Sequence, residues 1–175
     1  MHADESATIE TRVRDRLAAL GVAHEMLACD PDFADTAAFC ARYGVSPDQS
    51  ANTIVVAARK EPGTACACVV LATCRLDVNH AVCDLLGVRK ASFASADQTR
   101  ELTAMMIGGV TPFGLPDSLP LYIDARVMTQ DAVVIGGGSR SMKIRLAPVD
   151  LLRLPGSRVV DGLATLVEAP TPWHG

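Results

Sequence analysis

Ile9, Val13, Leu17 and Leu20 recur about every four residues, which is the spacing of one helical stripe, and Gly21 follows as a C-terminal cap. The spacing predicts a helix there, a short strand over Ala23–Leu27, and a second helix that begins after the Asp30-Pro31-Asp32 turn and ends at Gly44. Ser46-Pro47-Asp48-Gln49 has the residues of a capping box, with Ser46 as cap, Pro47 at the first helical position and Gln49 to close it. That helix is short, because the β-branched run Thr53-Ile54-Val55-Val56-Ala57 follows at once. This run and Ala65–Leu71, joined by Lys60-Glu61-Pro62-Gly63, predict a hairpin whose strands are too apolar to leave a face open.

Val78–Leu86 reads as helix ending at Gly87, and Ser95-Ala96-Asp97-Gln98 is a second capping box opening a helix toward Met105. Leu121–Ile123, Ala132–Ile135 and Lys143–Leu146 predict three further strands; Pro148–Leu154 predicts a short helix, and Val159-Val160 a last strand. Strands and helices mix without a regular βαβ repeat. The expected fold is therefore α/β: one domain with a mixed sheet surrounded by helices, spanning 1–165, with 166–175 as a loose C-terminal tail containing Pro170, Pro172 and Trp173-His174-Gly175.

A length of 175 residues suits one domain, and 49% hydrophobic residues suffice for a core. No apolar run approaches the roughly 18 residues of a membrane span. The first residues, Met1-His2-Ala3-Asp4-Glu5, are acidic with no apolar signal core behind them, so the expected setting is the cytosol. Net charge is −4, and it is uneven: eight acids and three bases in residues 1–35 give that segment −5. Residues 136–160 hold Arg140, Lys143, Arg145, Arg153 and Arg158 against Asp150, which is either a local basic face or a solvated surface.

Gly108-Gly109-Val110-Thr111-Pro112-Phe113-Gly114 packs three glycines and a proline into seven residues. Glycine allows close approach of the main chain to a ligand, and proline stiffens the turn. Such a loop can aim backbone N–H groups at a developing oxyanion. By residue types alone the default is an ordinary tight connection. Gly136-Gly137-Gly138-Ser139-Arg140 could cradle a phosphate, but it matches neither G-x-G-x-x-G nor a P-loop, and a hairpin turn is the better local reading. Cys66 and Cys68 point to one face, while Cys74, His80 and Cys83 are irregularly spaced, so buried thiols are expected rather than a metal site. No nucleophile elbow and no His-Glu-x-x-His motif occurs. No cofactor is called for.

From about Ile9 to Val160 the order of segments resembles the YbaK/ProX family. The resemblance rests on the Gly108–Leu115 loop, on Leu119-Pro120-Leu121-Tyr122-Ile123-Asp124, and on the Gly136–Leu146 hairpin. It implies a partly barrel-like sheet and a trans-acting aminoacyl-tRNA deacylase that hydrolyses the ester of a mischarged tRNA, with a synthetase as a further partner. It also implies that backbone at Gly108 and Gly109 contacts the aminoacyl carbonyl. Val110, Thr111, Pro112, Phe113, Gly114, Gly137 and Gly138 would then bind substrate, and Arg140, Lys143 and Arg145 would bind tRNA. The substrate's own ribose hydroxyl would position water.

Two positions depart from the family pattern. Asn52 stands where relatives carry a lysine, which makes it a candidate catalytic position lacking the charge; Arg59 or Lys60 are candidates to compensate. Ala104 stands where relatives often have glycine. The alternative implied by Asn52 is a non-catalytic module on the same fold, binding an aminoacyl-tRNA, a nucleotide or a protein.

Overall fold

A computed structural model describes residues 2–167. The predicted hairpin is present as β2 (Ala51–Ala58) and β3 (Ala65–Leu71), antiparallel with Asn52 opposite Val70 and Val56 opposite Cys66. Every residue of β3 is buried, as its unbroken apolar run requires. β5 (Ala91–Phe93) adds to the outer edge of β2. On the other side β6 (Leu121–Asp124) runs parallel to β3, and β9 (Ser157–Val160) parallel to β6. The resulting five-stranded sheet has the order β5-β2-β3-β6-β9.

A second, antiparallel sheet is ordered β1 (His24–Ala28), β8 (Met142–Leu146), β7 (Val133–Gly136). The two sheets meet at a parallel bridge between Ser50 and Val134. The expected partly barrel-like sheet is thus present as two joined sheets, and no closed barrel forms among the described residues. The main core fills the space between them. Val13 and Leu17 of α1 (His2–Ala19), Val69, Phe113, Ile123, Ile135 and Ile144 meet there. A second cluster, including Val56, Cys66, Cys68, Val82 and Leu163, covers the opposite face of the five-stranded sheet. Cys66 and Cys68 are packing atoms: their sulfurs lie 3.8 Å apart, and this contact together with burial pushes the Cys68 thiol well above its ordinary pKa.

α2 (Thr36–Tyr43) lies on the outer face of the smaller sheet, with Phe39 and Cys40 packed against Val134. α4 (Ala96–Thr103) opens with the expected capping box: the Gln98 N–H donates to Ser95 Oγ at 3.2 Å, and the Ser95 N–H to Gln98 Oε1 at 3.0 Å. The first capping box does not form. Pro47–Gln49 is a single 3-10 turn and Ser46 makes no capping bond, because the chain must already extend into β2.

The 78–86 segment is split. It begins as a π-helical turn over Val78–Val82, capped by the Asp77 side chain, and ends as the four-residue α3 (Cys83–Leu86). β4 (Cys74–Leu76) and its partner β10 (Ala164–Leu166) were not predicted, nor was β5; three residues are too few for a periodic signal. Leu166 and the Val167 N–H, which donates to Thr73 O at 2.9 Å, extend this pairing past residue 165. The rest of the expected tail lies outside the described residues. Asp124 serves the fold: its carboxylate is fully buried and accepts from the Ala164 N–H at 2.9 Å and the Arg126 N–H at 3.0 Å. No described helix is long and apolar enough to cross a membrane.

Candidate functional site

The loop after α4 starts with a left-handed residue, Ala104, at φ 57°, the one non-glycine with positive φ among the described residues. A Cβ is strained there, which is the physical reason glycine suits this position. Ala104→Gly is expected to stabilise the protein by up to about 1 kcal/mol, seen as a higher urea midpoint at unchanged slope.

Beyond it the loop is wedged against the β7–β8 hairpin. Gly109 donates its N–H to Met106 O at 2.9 Å, and its carbonyl accepts from the Gly138 N–H at 2.7 Å. A Cβ on Gly109 would lie 2.6 Å from the Ser139 carbonyl carbon, and one on Gly136 would lie 2.2 Å from Val110 O. These glycines therefore permit two backbones to cross in contact. Gly138, at φ 103°, instead faces side chains of α1, where a Cβ would lie 3.0 Å from Val13 Cγ2 and 3.3 Å from Ile9 Cγ1. Gly108, at φ 92°, keeps an N–H with no acceptor among the described residues, while its carbonyl accepts from Lys143 Nζ at 3.1 Å.

Gly108 and Val110 line a cavity of about 220 Å³ between the loop, the start of β2 and α2. Asn52 and Thr36 line its far wall, with Thr36 Oγ1 donating to Asn52 Oδ1 at 2.5 Å. The amide N–H groups of Asn52 find no acceptor among the described residues and are available to a ligand. Lys143 also lines the cavity. It is 8% exposed, donates to Ala34 O at 2.8 Å and Gly108 O at 3.1 Å, and lies 5.4 Å from the centroid of the Phe39 ring. Burial pushes its ammonium below the usual lysine pKa, with a smaller contribution from the charge of Arg140. A lysine thus does stand in the pocket, supplied by β8 rather than by β2.

A family described as the aminoacyl-tRNA editing domain matches residues 30–154, which contain this whole cavity. The chain belongs to that family. The YbaK/ProX resemblance is borne out with it. The chain is 36% identical over 70 residues to the YwhH protein of Bacillus subtilis (strain 168). It is 25% identical over 75 residues to EbsC of Enterococcus faecalis (strain ATCC 700802 / V583), a candidate Cys-tRNA(Pro)/Cys-tRNA(Cys) deacylase. These matches cover 40% and 43% of the chain, and 45% and 46% of the two relatives, so the chain spans just under half of each. Among solved structures, the protein APE2540 superposes with a TM-score of 0.78 at 26% identity, over 88% of this chain and 99% of that one. A candidate trans-editing enzyme for prolyl-tRNA synthetase superposes with a TM-score of 0.75 at 27% identity, over 91% and 97%.

Within this editing domain only some of the residues singled out by sequence line the cavity, and Gly109 is not among them. Gly108, Val110, Asn52 and Lys143 share the cavity. Thr111, Pro112, Phe113 and Gly114 are buried beneath it; Phe113 sits in the main core and the Gly114 carbonyl accepts from Arg12 Nη2 at 2.9 Å. Gly137 and Gly138 lie outside the lining. Arg140 is committed within the protein, to Asp35 Oδ1 and Ile107 O at 3.2 Å and to Pro31 O at 3.0 Å. Arg145 is exposed on β8 opposite Glu25, outside the lining. Arg59 and Lys60 lie at the opposite end of β2 from Asn52 and cannot replace a charge at its position.

Sequence reasoning missed Thr36 and Arg12. Arg12 reads as one of three bases in an acidic helix, yet it also donates to Thr103 O at 3.2 Å and so holds the loop at both ends.

Proposed function

We propose that this chain hydrolyses the ester of a mischarged aminoacyl-tRNA, acting in trans. The observation that carries the reading is that Gly108, Asn52 and Lys143 line one cavity inside the editing domain, with Lys143 Nζ bonded to the Gly108 carbonyl at 3.1 Å. The cavity volume of about 220 Å³ is below the roughly 300–1,000 Å³ of drug-sized ligand sites, which suits an amino-acid group rather than a nucleotide. Phe39, Ile54 and Val134 in the lining favour a small, weakly polar side chain.

In this reading the aminoacyl carbonyl approaches Gly108 and its oxygen takes the free N–H as charge develops. Water adds to the carbonyl carbon, the ester C–O bond breaks, and the amino acid leaves the ribose oxygen, which recovers a proton. The lining offers no histidine, and its carboxylate, Asp35, is ion-paired with Arg140 at 3.2 Å. The substrate's own ribose hydroxyl then positions the water, as the family resemblance implies. A panel of tRNAs mischarged with alanine, serine, cysteine and larger residues tests this. Release of at least one small amino acid above the buffer rate is expected, and no turnover across the panel overturns it.

Asn52 favours a second reading, a binding module that has lost catalysis. Asn52→Lys separates the two. An inert wild type and an active variant favour lost catalysis. If wild type is active, the variant is expected to be no better, because Lys143 already supplies the ammonium and the substitution breaks the Thr36 bond.

A further inference from the structure

The far end of the five-stranded sheet carries a second concave surface, a groove of about 500 Å³ lined by Arg59, Arg75, Asn79, Ser92, Phe93 and Thr165 among others. Arg59 leaves β2 with its N–H bonded to Lys90 O at 3.0 Å, so Lys60, Arg89 and Lys90 flank the same end. All five bases are exposed, and so is Phe93, at 57%. Among the described residues none of the five has a carboxylate within 4 Å. The acids nearby are Glu61 in the hairpin turn, Asp84 on α3, and Asp77, which lines the groove but accepts from the His80 N–H at 3.1 Å and lies 3.2 Å from His80 Nδ1. In a chain of net charge −4, five bases on one edge that pair with no acid among the described residues are a concentration of charge.

We propose that this groove holds the sugar-phosphate backbone of the acceptor stem while the ester sits in the Gly108 cavity. The inference rests on the deacylase reading above and adds a second contact surface to it. Asn52 and Arg59 stand seven residues apart on one strand and its end, about 23 Å at 3.3 Å per residue. That separation leaves room for the unpaired 3′ end between the cavity and the first base pairs. Duplex RNA is held through phosphates and 2′-hydroxyls rather than bases. Arginines for the phosphates and Asn79, Ser92 and Thr165 for the hydroxyls supply that chemistry, and the Phe93 ring offers a face for a ribose or an end base. Charged residues beside an exposed edge strand also discourage edge-to-edge pairing; salt dependence distinguishes that role from binding.

The test is binding of deacylated tRNA and of an acceptor-stem minihelix, followed by anisotropy across a salt series, for wild type, Arg59→Gln/Arg75→Gln and the control Arg14→Gln. The double variant should bind both RNAs about tenfold more weakly at low salt, with a log Kd against log salt slope smaller by about 2, and the control should match wild type. Hydrolysis of an aminoacyl-adenosine ester should be equal in all three proteins, while KM for mischarged tRNA rises in the double variant alone. Equal RNA affinity and slope in wild type and double variant, or no RNA binding by wild type, overturns the proposal. If wild type hydrolyses neither ester, the deacylase reading fails, and the anisotropy series still decides whether the groove binds RNA.

Discussion

Lys143→Met should lower kcat/KM for a mischarged tRNA by about 100-fold or more while leaving the protein folded. Two effects on stability oppose each other. Removing the ammonium relieves a buried charge that the Asp35 carboxylate offsets only in part, and it strands the carbonyls of Ala34 and Gly108, each worth about 1–3 kcal/mol when left unpaired. The net change in stability is therefore expected within about 2 kcal/mol. On the proposed deacylase reading the site has no such offset: Gly108 loses a bond to its carbonyl that helps to aim its N–H, and one misplaced oxyanion donor costs about 10²–10³ in kcat. Single-turnover kinetics beside a urea melt would separate the two; full activity in the variant would remove Lys143 from the site. The pH dependence has a defined sign. Because the folded state holds this proton less tightly than the usual lysine, the contribution of Lys143 to stability rises as pH climbs from the folded pKa to 10.5, and the variant should lack that rise.

Gly109→Ala is expected to cost about 1–3 kcal/mol of stability and at least 100-fold in kcat/KM, because the new methyl meets backbone, 2.6 Å from the Ser139 carbonyl carbon. The loop and hairpin must part, and the Gly108 N–H moves with them. At Gly108 itself the nearest atom to an added Cβ is Arg140 Nη1 at 2.2 Å, the tip of a side chain that can swing aside, which leaves the strain of a side chain at φ 92°, about 1–2 kcal/mol, as the main cost. Denaturant midpoints should therefore rank Gly109→Ala below Gly108→Ala, although Gly108 lines the cavity and Gly109 does not. The reverse order would mean that the crossing of loop and hairpin is not what holds the site.

That contrast shows what was legible in the sequence. Local signals were read well: the β2–β3 hairpin, the Ser95 capping box, and the turn at Gly136–Gly138 all depend on residues a few positions apart. The glycine-proline loop was identified as one unit, but it works as two, a cavity wall at Gly108–Val110 and a core plug at Thr111–Gly114. Nothing local distinguishes those halves, since the division is made by which side of the loop the hairpin and the core occupy. The role of Lys143 was hidden for a similar reason. Its place opposite Gly108 depends on the register of β8 against β7 and on contacts 35 residues apart in sequence. Arg140 was singled out for its charge, yet it meets Asp35, Pro31 and Ile107 inside the protein.

The family match begins at residue 30, yet the segment before it acts on the site. Arg12 of α1 grips the loop at Thr103 and Gly114, Ser139 bonds to Glu10, and Ile9 and Val13 press on Gly138. α1 is thus a splint laid across the back of the loop and the hairpin together. A boundary drawn by similarity would cut between the splint and the joint it immobilises, so any grafting or trimming of this domain should carry the first helix with it.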